Sequence, residues 1–325
     1  MLGMWLRNVR GRTPGNLPGL RSPEGDVRGS RGGLTTSPPP LVLPQNESVP
    51  EPDSPQASME IEITPLPPLP VAARLLEFGV TLARADQQLL MLDYDGTLAP
   101  FRVERMEAVP YPGVKEYLAT LIATGTQVVL ISGRMSKEVA ALLGMTPAPE
   151  IWGCHGWERL AGGEYTRIPL APKQEERIFK AGYTLKNEGF GSRLEFKHGS
   201  IALHWRGADE AEQRAIEIAG LRTFEPVSGP DLRLHRFDGG LELRATGRDK
   251  GLVVRELLQR IEPNTPAAYL GDDQTDEDAF RALAGRGLGV LVRSEPRDTA
   301  ATIWLRPPEE LLQFFDLWCK STHQP

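Results

Sequence analysis

Hydrophobic and polar positions fall into three regimes along this chain. Residues 1–70 show neither a helical nor an alternating period, and runs such as Pro38-Pro39-Pro40 and Pro65-Leu66-Pro67-Pro68-Leu69-Pro70 break up their apolar positions. Such a segment buries too little apolar surface to offset its ordering entropy, which predicts a disordered tail. From Val71 a period emerges. Helical spacing predicts helices over Val71–Ala85, Pro112–Ala123 and Ser136–Leu143, and short apolar runs predict buried strands over Leu89–Leu92, Gln127–Ile131 and Ile151–Gly153. Pro112 suits a first helical turn, where its missing N–H costs nothing. Strands alternating with helices imply βαβ units and a parallel sheet.

The rhythm then changes. Lys173–Asn187 and Ala208–Leu221 carry helical patterns, each followed by two strand-like runs: Ser192–Phe196 with Ile201–Trp205, and Leu232–Phe237 with Leu241–Leu243. Asp238-Gly239-Gly240 between the last two is a hairpin turn signal, because the turn needs residues that tolerate positive φ. After Lys250 the βα rhythm resumes, with a helix over Leu252–Ile261, strands over Ala267–Leu270 and Leu288–Val292, and helices over Ala279–Leu283 and Glu309–Cys319. The expected architecture is α/β: a Rossmann-like parallel-sheet core formed by residues 71–170 and 246–325, with an inserted α+β module over residues 171–245.

Composition narrows the function classes. The 325 residues suffice for two domains, and 40% hydrophobic content is that of a soluble protein. A net charge of −6 argues against a nucleic-acid or membrane-surface partner. Two cysteines, Cys154 and Cys319, form neither a disulfide framework nor a metal-ligand cluster, which favours a reducing cytoplasmic setting. No apolar run reaches the ~18 residues of a membrane span. The Arg-rich, acid-poor first twenty residues bear a faint likeness to a transit peptide, weighed against a plain tail or a start at Met59.

The chemistry concentrates at strand ends. Leu89-Leu90-Met91-Leu92 delivers Asp93-Tyr94-Asp95-Gly96-Thr97 to the tip of a buried strand, where α/β sheets place their sites. Strand alternation puts residues i and i+2 on one side, so two anions would face each other and call for a cation. Ser132-Gly133 follows a second strand, Lys250 opens a helix, and Asp272 to Asp278 form an acidic cluster after a third strand. Alone, each has an ordinary explanation: a turn, a solvated lysine, or a helix cap for Asp272-Asp273. Together they suit a phosphomonoester. Carboxylates can hold Mg²⁺, which prefers oxygen ligands. A lysine and a hydroxyl can neutralise and hydrogen-bond the transferring phosphoryl oxygens, and a second carboxylic acid can shuttle protons.

The motifs Asp93-Tyr94-Asp95-Gly96-Thr97-Leu98, Ser132-Gly133-Arg134, Asp249-Lys250-Gly251 and Gly271-Asp272-Asp273-x-Thr275-Asp276-Glu277 resemble, in order, those of haloacid-dehalogenase-superfamily phosphatases. Only 39 positions separate Asp93 from Ser132, which leaves room for a cap only between the second and third motifs. The chain is more closely similar to trehalose-6-phosphate phosphatases. That likeness rests on Gly153-x-His155-Gly156, Glu195-x-Lys197-x-x-Ser200-x-x-x-His204-Trp205-Arg206 and Leu241-Glu242-Leu243-Arg244. The resemblance implies Asp93 as nucleophile and Asp95 as general acid/base. It implies Mg²⁺ held by Asp93, the backbone carbonyl of Asp95 and Asp272, with Asp273 or Asp276 close by. Ser132, Gly133 and Lys250 would grip phosphate, and Glu195, Lys197, Arg206 and Glu242 would meet the sugar. Two positions depart from the family pattern: Trp205 stands where tyrosine is usual, and Ala245-Thr246-Gly247 where proline is common.

The implied activity is Mg²⁺-dependent hydrolysis of trehalose 6-phosphate through a phospho-aspartate. The alternatives are a phosphatase for glucosylglycerol phosphate or mannosyl-3-phosphoglycerate, and an inactive sugar-phosphate-binding regulator. A regulator would be expected to lose an aspartate or the lysine. A glycosyltransferase using Asp93-x-Asp95 as a metal clip leaves Lys250 and the second acidic cluster unexplained. Core and cap account for the whole ordered chain, so the implied partner, beyond a small sugar phosphate, is functional coupling to a separate trehalose-6-phosphate synthase.

Overall fold

The computed structural model describes residues 71–237 and 239–322. The tail expected over 1–70 and Asp238 of the expected turn lie outside the described residues. Helix α1 (Val71–Ala83) leads into β1 (Gln88–Leu92), α2 (Val114–Ala123), β2 (Thr126–Ile131), α3 (Ser136–Leu143) and β3 (Glu150–Gly153). A hairpin of β4 (Glu158–Ala161) and β5 (Glu164–Arg167) follows. The next stretch holds α4 (Pro172–Leu185), β6 (Leu194–Lys197), β7 (Ser200–His204), α5 (Glu210–Phe224), β8 (Leu232–Phe237) and β9 (Gly240–Ala245). The chain closes with α6 (Lys250–Leu258), β10 (Ala267–Gly271), α7 (Glu277–Leu283), β11 (Leu288–Val292), β12 (Ile303–Leu305) and α8 (Glu309–Thr322).

The larger sheet runs β12-β11-β10-β1-β2-β3-β4-β5; its first six strands are parallel and its last two antiparallel. Every residue of β1, β10 and β11 is buried, as expected of strands covered on both faces. Leu89 and Met91 pack with Val129, Ile131 and Tyr269 against Val253 and Leu257 of α6 and Phe280 and Leu283 of α7. Burying each such side chain contributes roughly 1.5–3 kcal/mol. From β1 the chain moves outward through β2 and β3, and later returns to β10 on the other side of β1. Strand order therefore reverses between β1 and β10, and the crevice at their carboxyl ends is where such sheets bind ligands.

The smaller sheet, β6-β7-β9-β8, is wholly antiparallel. Ile201, Leu203, Leu241 and Leu243 form one core with Ile178 and Leu185 of α4 and Ile216 and Phe224 of α5. Cys154 and Trp157, next to β3 and β4 of the larger sheet, join that core.

Two elements escaped the sequence pattern. The β4–β5 hairpin turns through Gly162-Gly163, both at positive φ, but its short polar strands lack an apolar stripe. Strand β12 has three residues, too few for any period. Among the described residues no helix is long and apolar enough to cross a membrane.

Candidate active site

Strand β1 ends at Leu92, and the Asp93 N–H donates to the carbonyl of Leu270 on β10 (2.8 Å), which ties together the tips of β1 and β10. The strand stops before the aspartates, so alternation does not orient them. Beyond it the chain folds into a turn in which the Gly96 N–H donates to Ala99 O (2.7 Å). Gly96 sits at φ +79°, and a Cβ there would lie 2.2 Å from Asp272 Oδ2. Only glycine permits this backbone and this approach of the two loops. Asp93, Asp272 and Asp276 are buried, and one carboxylate oxygen from each lies within 4.8 Å of the others.

Lysine 250 binds this cluster. Asp249 caps α6 by accepting from the Leu252 N–H (2.6 Å), which makes Lys250 the first helical residue. Its Nζ donates to Asp93 Oδ1 (2.6 Å) and Asp276 Oδ1 (2.7 Å). Asp276 accepts two more bonds at Oδ2, from the N–H groups of Asp272 and Asp273, and one at Oδ1 from the Tyr269 hydroxyl. Its acceptor capacity is therefore spent on holding the loop. Asp272 is the opposite case: its Oδ1 is buried without a hydrogen-bond partner. Asp273 serves as a cap, its Oδ1 accepting from the Gln274 N–H (2.6 Å), in agreement with the ordinary reading of that residue.

The crowding is electrostatically unfavourable. Burial, only partly opposed by Lys250 and reinforced by Asp276, pushes the Asp93 carboxyl up to about 7. Burial, then Asp93 and Asp276, raise Asp272 well above the carboxylate range. On Lys250 burial acts downward, but Asp276 and Asp93 outweigh it and hold the ammonium charged. One lysine does not balance three buried carboxylates. The all-oxygen donor set and the orphaned Asp272 oxygen fit a hard divalent cation such as Mg²⁺. Asp93 and Asp272 have oxygens that could hold such a cation, whereas Asp276 is spent on the Lys250, Tyr269 and loop N–H bonds.

Asp95 turns elsewhere. Arg134 donates Nε to its Oδ2 (2.6 Å) and Nη2 to its Oδ1 (2.8 Å), a bidentate pair. The two aspartates expected to share one cation thus each have a protein cation of their own. Arg134 Nη1 is buried without a partner, and the Ser132 Oγ accepts from the Arg134 N–H (3.1 Å). Gly133 cannot carry a side chain, since its Cβ would lie 2.8 Å from the His155 ring. Cys154 and His155 both adopt left-handed backbone (φ 51° and 56°), a strained conformation for two successive non-glycine residues that sets His155 against the smaller sheet.

On that sheet the glutamates are surrounded by cations, and Glu195 Oε1, though close to Arg105, accepts no hydrogen bond. Glu242, 5% exposed, pairs with Lys197, lies 3.4 Å from His155 Nε2 and accepts from the Ser200 hydroxyl (2.8 Å). Burial raises it, but Lys197, His155 and Arg244 together hold it well below the usual carboxylate range. Glu195 meets His204 Nε2 (2.9 Å) and Arg105 Nη2 (2.6 Å). Burial acts upward there too, yet Lys197, His204 and Arg105 bring it down to about 2. Burial and then Arg244 push His155 down to about 3. Lys197 also donates to Gly133 O (3.2 Å), joining β6 to the loop after β2.

A cavity of about 1040 Å³ gathers Asp93, Asp95, Ser132, Gly133, Lys250, Asp272 and Asp273 on one side and Glu195, Lys197, Arg206 and Glu242 on the other. Asp276, fully buried, lies behind it. The residues to which sequence reasoning gave no role are Arg134, His155, His204, Tyr269 and Arg105. The first three stand inside the quoted motifs, and Tyr269 is an interior residue of β10. Arg105 opens a three-residue 3-10 turn, Arg105–Glu107, too short to leave a periodic signal.

Comparison with known proteins adds an independent line. A family model described as trehalose-phosphatase matches residues 91–306. The chain is 28% identical over 268 residues to trehalose-phosphate phosphatase B of Arabidopsis thaliana, covering 76% of this chain and 70% of that protein. Its fold superimposes on the C-terminal domain of C. albicans trehalose-6-phosphate phosphatase with TM-score 0.64 and 20% identity, covering 76% of this chain and 96% of that one. A haloacid dehalogenase-like hydrolase from B. subtilis matches with TM-score 0.52 and 15% identity, covering 70% and 99%.

Proposed function

The chain belongs to the trehalose-phosphatase family, a family of phosphatase enzymes, and from that premise we propose that it hydrolyses trehalose 6-phosphate to trehalose and phosphate through a phospho-aspartate. The observation that carries this reading is the two-sided cavity, with crowded aspartates and Lys250 on one wall and cation-bound glutamates on the other. A phosphate needs the first wall. Many hydroxyl groups need the second, because each must find a donor or an acceptor.

In the proposed reaction an Asp93 oxygen attacks phosphorus and the bond to the sugar oxygen breaks. Asp95 hands a proton to that oxygen, and trehalose leaves. Asp95 then takes a proton from water, whose oxygen attacks the phosphorus of the aspartyl phosphate, freeing Asp93 and phosphate. Asp93 and Asp272 would hold Mg²⁺, which supplies the charge neutralisation that lets a carboxylate approach a phosphate dianion. Lys250 keeps Asp93 in place and, with Ser132 and the partnerless Nη1 of Arg134, meets phosphoryl oxygens. Both Asp95 oxygens accept from Arg134, and each keeps a second lone pair on which Asp95 can carry the proton it delivers. The module of residues 171–245 acts as the cap, with Glu195, Lys197, Arg206 and Glu242 meeting the sugar.

A phosphate-release screen across sugar phosphates, with Mg²⁺ and with EDTA, tests the reading. Trehalose 6-phosphate should rank first and EDTA should stop turnover. A stronger preference for glucosylglycerol phosphate or mannosyl-3-phosphoglycerate would replace the substrate while keeping the chemistry.

A further inference from the structure

The segment between the Asp95–Ala99 turn and α2 belongs to no large element, yet it is firmly held. The Tyr94 hydroxyl, fully buried, donates to Ala108 O (2.8 Å), and the Tyr111 N–H donates to Leu98 O (2.9 Å). Between these anchors the chain exposes Phe101, Val103 and Met106, an unusual run of large apolar side chains at the mouth of the cavity. The segment leans on the smaller sheet at three points. Phe101 lies under the Arg206 guanidinium (5.3 Å to the ring centre). A Cβ on Gly207 would stand 3.4 Å from Val103 Cγ1. Arg105 Nη2 lies 2.6 Å from Glu195 Oε1 and donates to Glu138 Oε2 of α3 (2.8 Å).

We propose that Arg105 is a positioning residue for substrate selection: it ties Glu195 of the smaller sheet to Glu138 of the larger-sheet half. This fixes the Glu195 carboxylate against the sugar. Glu195 has no other contact with the larger-sheet half at hydrogen-bond distance among the described residues; His204, its other partner, belongs to its own sheet. Without Arg105 the carboxylate keeps His204 as its partner and can rotate about its own side chain, while Lys197 still ties β6 to the loop after β2. The phosphoryl-transfer residues, joined through Lys250 and Arg134, do not touch Arg105. Its loss should therefore fall on sugar recognition rather than on phosphorus chemistry. One guanidinium between two carboxylates suits this task because Nη2 donates to Glu138 while the same charged group forms an ion pair with Glu195.

This inference rests on the reading of Glu195 as a sugar-contacting residue, and a double-mutant cycle separates the two. Arg105→Met, Glu195→Gln and the double variant are assayed on p-nitrophenyl phosphate and on whichever sugar phosphate the screen ranks first. Arg105→Met should raise KM for the sugar phosphate roughly tenfold with kcat within about threefold, and the loss in kcat/KM should exceed that on p-nitrophenyl phosphate at least about fivefold. Arg105→Lys, which keeps the charge, should recover part of it. The double variant should be no worse than Glu195→Gln, because the two residues act as one unit. Additive losses, or equal losses on both substrates, would overturn the role of Arg105. Absence of any sugar preference in the unaltered enzyme would instead overturn the reading of Glu195, and the role of Arg105 with it.

Discussion

The two walls of the cavity use the same functional group in opposite electrical states. Around Asp93, carboxylates outnumber cations, and burial with mutual repulsion drives their proton affinity up. Around Glu242 and Glu195, cations outnumber carboxylates, and proton affinity is driven down although these groups are also buried. Burial is common to both walls, so the difference comes from the neighbours. A wall with excess negative charge attracts a metal cation and becomes able to work on phosphate. A wall whose carboxylates are each held by cations offers fixed acceptors and donors to neutral hydroxyls. In the proposed reaction, chemistry and sugar recognition therefore fall to different sheets.

Removing the proposed nucleophile should break the first wall most completely. Asp93→Asn keeps the shape but cannot form the phospho-enzyme, so turnover of every phosphomonoester should fall by about 10³-fold or more. Measured phosphate release above that floor, on either a sugar or an aryl phosphate, would sink the mechanism.

The second wall should fail through stability. Glu242→Gln leaves Lys197 and Arg244 without their carboxylate in a buried place, and breaking a buried pair costs about 3 kcal/mol or more. Urea denaturation of the metal-free protein should show that loss. An unchanged midpoint would mean that Glu242 is not the centre of its network.

The walls should also differ in their response to acid. The His155 pKa is about 3 in the folded protein against an ordinary value of 6.5, so below pH 6.5 the unfolded chain binds a proton that the folded one refuses. Stability is therefore lost as pH falls from 6.5 toward 3, by about 2 kcal/mol at pH 5. Glu195, depressed from 4.5 to about 2, contributes stability that is present above 4.5 and lost as pH falls through 2. His155→Gln should lessen the slope of the stability profile between pH 6.5 and 5, leaving the loss from His235, which burial and Arg244 push down to about 4, and the Glu195 loss below 4.5. A slope between pH 6.5 and 5 undiminished in the variant would refute the assignment to His155.

How much of this was legible follows from where each residue sits. Asp93, Lys250 and Asp272 were readable because strand tips and a helix start are marked by apolar runs and by cap residues in the sequence. Glu195, Lys197 and Glu242 were readable only through family likeness, since a polar residue on a strand face carries no chemical signature. The split between Asp272 and Asp276 was hidden: both are acids in one cluster, and only the four bonds accepted by Asp276 reveal that it is spent. Arg105 was invisible because its partners lie 33 and 90 positions away and its own segment has no period.

The smallest expected effect separates the walls most cleanly, because its sign is opposite. Asp272→Asn removes one charge from the crowded wall while keeping its volume. Without metal, the repulsion with Asp93 and Asp276 is relieved, and the protein should gain roughly 1 kcal/mol, as relief of a strained functional site commonly gives. With Mg²⁺ present the order should reverse, because the unaltered protein gains stability from binding in proportion to RT ln(1 + [Mg²⁺]/Kd), whereas the variant has lost a ligand. Thermal melting of both proteins in EDTA and in Mg²⁺ reads the four values. A variant that is destabilised in EDTA would mean that Asp272 is held by contacts rather than opposed by its neighbours, and the contrast with Glu242 would then fail. A variant that still responds fully to Mg²⁺ would move the cation to other oxygens of the cluster, with Asp276 releasing one of its four bonds to reach it.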